Sequence, residues 1–214
     1  MFRQYRPIEH GETIVVFADT SYGAGDYCAV QFLSKTKIDV PLVYHSKTIA
    51  TNMTNEIFPI LEKLFDVTGI KPIVAYERQN GGVFEMDRLA SLNRNNKFEI
   101  FKMVNRGNVD NADATKLGWD TNTATRPTML QDLKDAIDHN TLMIYDKPTI
   151  NELYSFVLAK TTSSVKAQAE RGAHDDLVMS LAGAWQLYQQ AEVSVAEMSQ
   201  WDNVNAGLGK KWSI

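Results

Sequence analysis

Thr13-Ile14-Val15-Val16-Phe17-Ala18-Asp19 is an almost wholly apolar run, rich in β-branched and aromatic residues, that ends on a carboxylate. Such a run suits a central strand buried on both faces, which places Asp19 at the strand end, where buried sheet gives way to solvent. Thr20 to Asp26, with Gly23 and Gly25, reads as a turn, and the apolar runs Tyr27 to Leu33 and Leu42 to His45 follow. Three strands in succession predict an antiparallel meander. Ile57, Ile60, Leu61, Leu64 and Phe65 then recur at helical spacing, and Gly69 stands where that helix stops. Pro72 to Tyr76 is a second buried strand, and it too ends on a carboxylate, Glu77.

Beyond Glu77, Gly81-Gly82 precedes a helix carrying Val83, Met86, Leu89 and Leu92, and Phe98 to Val104 reads as a strand. Asn105 to Arg126 is polar and reads as a long loop, closed by Pro127 and a helix capped by Thr128. Leu142 to Tyr145 is expected as a short strand, Ile150 to Val157 as a helix, and Thr161 to Gly172 as a hairpin or loop. The strongest helix runs from Asp175 to Gln190, with Leu177, Val178, Leu181, Ala184, Trp185 and Tyr188 as its apolar stripe. The order predicts an α/β fold: a mixed sheet with helices on both faces.

The chain has 214 residues, 44% hydrophobic and 22% charged, enough for one sizeable core. Its formal net charge of -4 gives no general attraction for polyanions, so any contact with nucleic acid has to be local or metal-mediated. The lone cysteine, Cys28, sits in an apolar run and reads as a core residue. No apolar stretch approaches the ~20 residues of a membrane span, and Met1 to Glu12 lacks a signal-peptide apolar region. The expectation is a cytoplasmic protein with no membrane partner.

Asp19, Glu77, Asp175 and Asp176 all stand at the ends of regular elements. Carboxylates brought together in this way repel one another unless a divalent cation neutralises them, and an all-oxygen set selects Mg²⁺ or Mn²⁺. Two ions about 3.5–4 Å apart activate a water and stabilise the leaving oxygen of a phosphoryl displacement. Asp19, from the central strand, is the expected bridging ligand, flanked by Glu77 and Asp176. Asp175 is either a further ligand or a helix cap. His174 is expected to orient a ligand or to cap. A dehalogenase-type phosphatase, which also opens on a strand and an Asp, needs a second Asp where Ser21 stands.

Four motifs carry a family resemblance: Asp19-Thr20-Ser21 with Gly23-Ala24-Gly25-Asp26-Tyr27; Tyr76-Glu77-Arg78-Gln79-Asn80-Gly81-Gly82; Leu117-Gly118-Trp119-Asp120-Thr121 with Arg126-Pro127; and Gly172-Ala173-His174-Asp175-Asp176-Leu177-Val178. Together they resemble the nuclease domain of the large terminase subunit of tailed bacteriophages, over roughly Thr13 to Gln190. The resemblance implies an RNase H-like, RuvC-like fold and metal-dependent endonucleolytic cutting of concatemeric viral DNA during genome packaging in the cytoplasm of the bacterial host. It also implies Asp19, Glu77 and Asp176, with Asp175, as the metal ligands, and the packaging ATPase domain, the portal and the small terminase subunit as partners besides double-stranded DNA.

Large terminase subunits also carry an ATPase with a GxxxxGK[ST] loop. No such sequence occurs in this chain, so the expected organisation is a nuclease domain over residues 1–190 and a carboxy-terminal tail over 191–214, without the packaging ATPase. Arg78, Lys102, Arg106, Lys116, Arg126, Lys166 and Arg171, together with Lys97 and Lys160, are candidates for salt-sensitive phosphate contacts. Other readings are another RNase H-like nuclease such as a junction resolvase, against which the Trp119 and Arg126 segment argues, and a non-catalytic DNA-binding or docking module.

Overall fold

In the computed structural model, residues 1–23, 25–104, 115–160, 165–169 and 174–192 are described. The first four strands are β1 (Phe2–Gln4), β2 (Ile14–Asp19), β3 (Cys28–Ser34) and β4 (Asp39–Ser46). Helix α1 (Ala50–Thr68) leads to β5 (Ile73–Tyr76), then α2 (Gly82–Leu92) and β6 (Glu99–Ile100). The six strands form one sheet in the order β1-β4-β3-β2-β5-β6. β2, β3 and β4 pair antiparallel, whereas β5 runs parallel to β2, with α1 as the crossover.

Every residue of β2 is buried because helices cover both faces of the sheet. The strand's period of two divides the core. Ile14, Val16 and Ala18 face Met53, Ile57, Leu61 and Leu64 of α1 and Met86 and Leu89 of α2. Val15 and Phe17 face the other layer, α3 (Thr125–Asp138) and α5 (Asp176–Gln190). α1 stops at Gly69, whose φ of 73° is left-handed, as the sequence predicts.

α5 lies unusually close to the sheet at Gly183. A Cβ there would fall 2.3 Å from the Phe17 ring, and Phe17 is itself buried. Gly183→Ala is therefore expected to lower stability by about 1–3 kcal/mol through overpacking, although alanine is the better helix former by ~1 kcal/mol. Thermal unfolding checks this, and an unchanged or raised midpoint would show that Phe17 yields freely.

Several expectations are corrected. Leu142 to Tyr145 is not a strand: Met143 alone bridges to Asp39, and Leu142 supplies its buried side chain from irregular backbone. Phe98 to Val104 is two strands in different sheets, β6 and β7 (Lys102–Val104), because the chain leaves the main sheet at Phe101 to pair with β8 (Thr115–Leu117). The polar stretch to Arg126 thus contains β8, and α3 starts at Thr125 rather than after Pro127. Proline is accommodated in a first helical turn, where its missing N–H has no intrahelical partner to lose. α4 (Lys147–Ser155) ends before Val157, which belongs to β9 (Phe156–Lys160) in a hairpin with β10 (Val165–Ala169). Residues Phe2 to Gln4, for which no strand was expected, form an edge strand on β4. Among the described residues, no helix is long and apolar enough to cross a membrane.

Candidate metal centre

β2 and β5 are neighbours and parallel, so their carboxyl ends open on the same side of the sheet. Glu77 extends the β5 ladder by one residue: its N–H donates to the Ala18 carbonyl at 2.8 Å, and it bridges Trp119, whose N–H donates to the Tyr76 carbonyl at 2.9 Å. Trp119 is buried, its indole Nε1 3.0 Å from the Met129 sulfur, so the Leu117 to Thr121 segment braces Glu77 from the far side. α5 crosses β2 and brings Asp176 to the same place.

The resulting cleft, of about 240 Å³, is lined by Asp19, Asp26, Glu77, Asp175 and Asp176, with Arg126, His174 and Thr20 among their neighbours. At ~30 Å³ per water this is room for a small hydrated cluster. Asp19 and Glu77 are each 8% exposed. Burial comes first, followed by the Glu77 carboxylate, which also hydrogen-bonds to Asp19, and then Asp176 and Asp175; together they hold the Asp19 carboxyl well above its ordinary range. Asp176 is pushed up to about 6, chiefly by burial and then by Asp26, and its Oδ2 is buried with no hydrogen-bond partner.

These two carboxylates differ from Asp175, whose Oδ2 accepts a hydrogen bond from Arg126 at 2.7 Å. Arg126 neutralises Asp175, whereas among the described residues no Lys or Arg pairs with Asp19 or Asp176, and Asp176 has only the His174 ring nearby, at 3.6 Å. The donor set of hard oxygens, its mutual repulsion and the orphaned Asp176 oxygen all fit a divalent cation. Asp19, Glu77 and Asp176, predicted from their element ends, are thus brought together, with Asp175 at the rim.

Two neighbours of the site escaped the sequence reading. Asp26 was quoted only as part of a motif, yet Asp26, His174 and Asp176 each offer an atom within 4.8 Å of the others. His174 Nδ1 lies 3.6 Å from Asp176 and 3.9 Å from Asp26, and its ring is held edge-on by Tyr27. Glu152 of α4 was not singled out at all. Its Oε2 accepts the N–H groups of Leu177 at 2.9 Å and Val178 at 3.3 Å, and burial is the main reason its carboxyl is pushed up to about 7. No local signal marks it, because the contact spans 25 residues.

The basic candidates divide. Arg126 lines the cleft, while the Arg78 guanidinium donates to the Leu117 carbonyl at 2.7 Å and so ties down the brace behind Glu77. Lys102 is exposed on β7, and Lys116 lies 3.7 Å from Asp120. Lys97 is engaged with Asp66 at 2.7 Å. Arg106 and Arg171 lie outside the described residues, as do the side chains of Lys160 and Lys166.

The raised carboxyl values have a measurable sign. Asp176 goes from an ordinary 3.8 to about 6, so the folded protein holds a proton that the unfolded chain has released. Metal-free stability from this group is full below about pH 4 and is lost as pH rises through about 6. His45, half-buried and held down at about 4 chiefly by its loss of solvent, gives the opposite slope below 6.5. The informative quantity is therefore the difference between native protein and Asp176→Asn in chelator. The variant is expected to gain on the native chain by an order of 2 kcal/mol between pH 4 and pH 8. A difference independent of pH would show that Asp176 is not strained.

A six-stranded mixed sheet of this order, with carboxylates at the ends of its two central parallel neighbours and at the start of the covering helix, is the RNase H-like fold. Solved structures that share it include nuclease domains of phage large terminases. The magnesium-bound large terminase nuclease of thermophilic phage G20c superposes with a TM-score of 0.62 at 15% identity, over 86% of each chain. The large terminase nuclease domain of Thermus phage P74-26 gives 0.60 at 17% identity, over 85% of this chain and 83% of that one. The cobalt-bound G20c nuclease gives 0.59 at 16%, over 86% and 88%. No family model and no curated protein matches the sequence.

Proposed function

We propose that this chain is the nuclease domain of a phage large terminase: a metal-dependent endonuclease that hydrolyses phosphodiester bonds in concatemeric viral DNA during genome packaging. The observation that carries this reading is the convergence of Asp19, Glu77 and Asp176 in one acidic cleft on the fold of terminase nucleases. Residues 1–190 are the proposed nuclease domain and 191–214 its tail. The DNA-bound protein works with the packaging ATPase domain, the portal and the small terminase subunit in the host cytoplasm.

Asp19, Glu77 and Asp176 would hold Mg²⁺ or Mn²⁺, as two ions during catalysis, with Asp175 and Asp26 as accessory donors. Bound divalent cations supply an activated water and neutralise charge on the leaving oxygen. The chain's own residues provide the geometry. Asp19 is fixed by the central strand, Glu77 by the ladder to Ala18 and Trp119, and Asp176 by the packing of α5 on Phe17. His174, between Asp26 and Asp176, is placed to orient them or to exchange a proton with water at Nδ1. Arg78, Lys102, Lys116 and Arg126, with Arg106, Lys166 and Arg171, are the proposed phosphate contacts, which position the duplex without reading its sequence. A chain of net charge -4 approaches DNA through such local patches and through its bound cations.

Incubation of supercoiled plasmid with the protein in Mg²⁺, in Mn²⁺ and in chelator tests this reading. Cutting with metal and none in chelator is the expected result. Absence of cutting with either metal would replace the nuclease by a docking module whose carboxylates serve structure alone.

A further inference from the structure

An α-helix begins with N–H groups that lack partners, and an Asp at the N-cap ordinarily folds its own carboxylate back onto the second or third of them. α5 opens on Asp175 at the N-cap and Asp176 as its first residue, and Asp175 does not make that bond. Asp175 makes no side-chain cap and reaches Arg126 instead, while Asp176 Oδ2 has no hydrogen-bond partner and lies 3.6 Å from His174 Nδ1. The N–H groups that Asp175 would take, those of Leu177 and Val178, are both occupied by Glu152 Oε2 from α4.

α4 is itself firmly anchored. Asp146, fully buried, caps it by accepting from the Thr149 N–H at 2.9 Å and the Thr149 hydroxyl at 2.7 Å. Arg3 grips Asp146 through both oxygens, at 2.5 and 3.0 Å, and the Tyr5 hydroxyl adds a further hydrogen bond. Gln31 Nε2 ties Thr149 to the Leu177 carbonyl at 3.1 and 3.4 Å, so that β3, α4 and the first turn of α5 are joined within the core.

We infer that Glu152 is a positioning residue for the metal centre: it caps α5 in place of Asp175 and so leaves Asp175 and Asp176 turned to the cleft. This inference rests on the reading of Asp19, Glu77 and Asp176 as metal ligands. With Glu152 removed, the two vacated N–H groups draw Asp175 back onto the helix, where it is lost to the cation. The requirement is an acceptor oxygen rather than a charge, so a glutamine satisfies it.

The test is Mn²⁺ binding to the full chain without DNA, followed by electron paramagnetic resonance of the free ion. Loss of an outer partner of a metal ligand typically weakens affinity 10- to 100-fold. Glu152→Ala is expected to raise the Mn²⁺ dissociation constant about tenfold or more, with Glu152→Gln close to native. Lys35→Ala serves as a control for general loosening of α5, since Lys35 Nζ binds the Ala191 carbonyl at the helix's opposite end. It is expected to lower thermal stability without moving the Mn²⁺ constant. Unchanged binding in Glu152→Ala, or equal weakening in Lys35→Ala, overturns the inference. Asp19→Asn separates the two levels. If it weakens Mn²⁺ binding while Glu152→Ala does not, only the positioning inference falls; if the native chain binds no Mn²⁺, the metal reading and this inference fall together.

Discussion

Asp19→Asn is expected to abolish metal-dependent plasmid cleavage, by about a thousandfold or more, which corresponds to about 4 kcal/mol in the barrier, and to leave a folded protein. The substitution keeps the shape of the side chain and replaces one oxygen by an amide that can still donate to Glu77. The missing charge is the one that Glu77, Asp176 and Asp175 all act upon. Without metal this charge is a burden: burial and three neighbouring carboxylates oppose it. In chelator at neutral pH the variant is therefore expected to unfold at a temperature equal to or above the native one. Loss of cutting together with undiminished stability separates a ligand from a structural residue. Native cleavage by Asp19→Asn would overturn the assignment of this carboxylate, and a marked loss of stability would show that its charge supports the fold.

Gly82→Ala is expected to be nearly as damaging, through the backbone. A Cβ at position 82 would lie 1.7 Å from the Glu77 carbonyl oxygen and 3.3 Å from the Thr20 hydroxyl. Neither neighbour has room to move. Thr20 Oγ1 donates to the Gln79 carbonyl at 2.8 Å, which also accepts from the Gly82 N–H at 2.8 Å, and Glu77 is pinned to Ala18 and Trp119. Relief of the clash displaces Glu77 by about 1 Å, and a shift of that size at a reacting centre can cost about a hundredfold in rate. Gly11→Ala is a control for backbone strain without a clash: its φ of 82° is unfavourable to a side chain, as the backbone of Gly82 is not, but nothing lies within 4 Å of the added atom. It is expected to cost about 1 kcal/mol of stability and to retain full cutting. Plasmid cleavage and thermal unfolding of both variants check this, and an active Gly82→Ala would show that the turn relaxes without moving Glu77.

What the sequence disclosed follows the range of the forces involved. The strands ending at Asp19 and Tyr76 and the stripe of α5 were legible because burial on both faces, or on one, writes its own period into the chain. The stop at Gly69 was legible because a left-handed residue has a strong local preference. The convergence of Asp19, Glu77 and Asp176 in one cleft was legible by the same logic, since they stand at the ends of those elements. Leu142 to Tyr145 misled because an apolar run records burial rather than ladder pairing, and Leu142 is buried without a strand. Pro127 misled because it was read as a breaker, although the first helical turn tolerates it. β1 went unread because three residues cannot display a period. Asp26 and Glu152 depend on contacts made across distant parts of the chain. Nothing beside either residue in sequence records that Asp176 is its neighbour, or that two N–H groups of α5 need an acceptor from another helix.

β1 has a consequence for the behaviour of the protein in concentrated solution. β4 runs for eight residues and would otherwise present an unpaired row of backbone donors and acceptors at the end of the sheet. Phe2, Arg3 and Gln4 cover Tyr44, Val43 and Leu42, and Arg3 is in turn locked to Asp146. At the other end β6 contributes only two residues. Short borders of this kind are poor templates for strand addition by a second molecule. The three amino-terminal residues of β1 thus act as a selvage on the sheet, keeping its hydrogen bonding from fraying into aggregates.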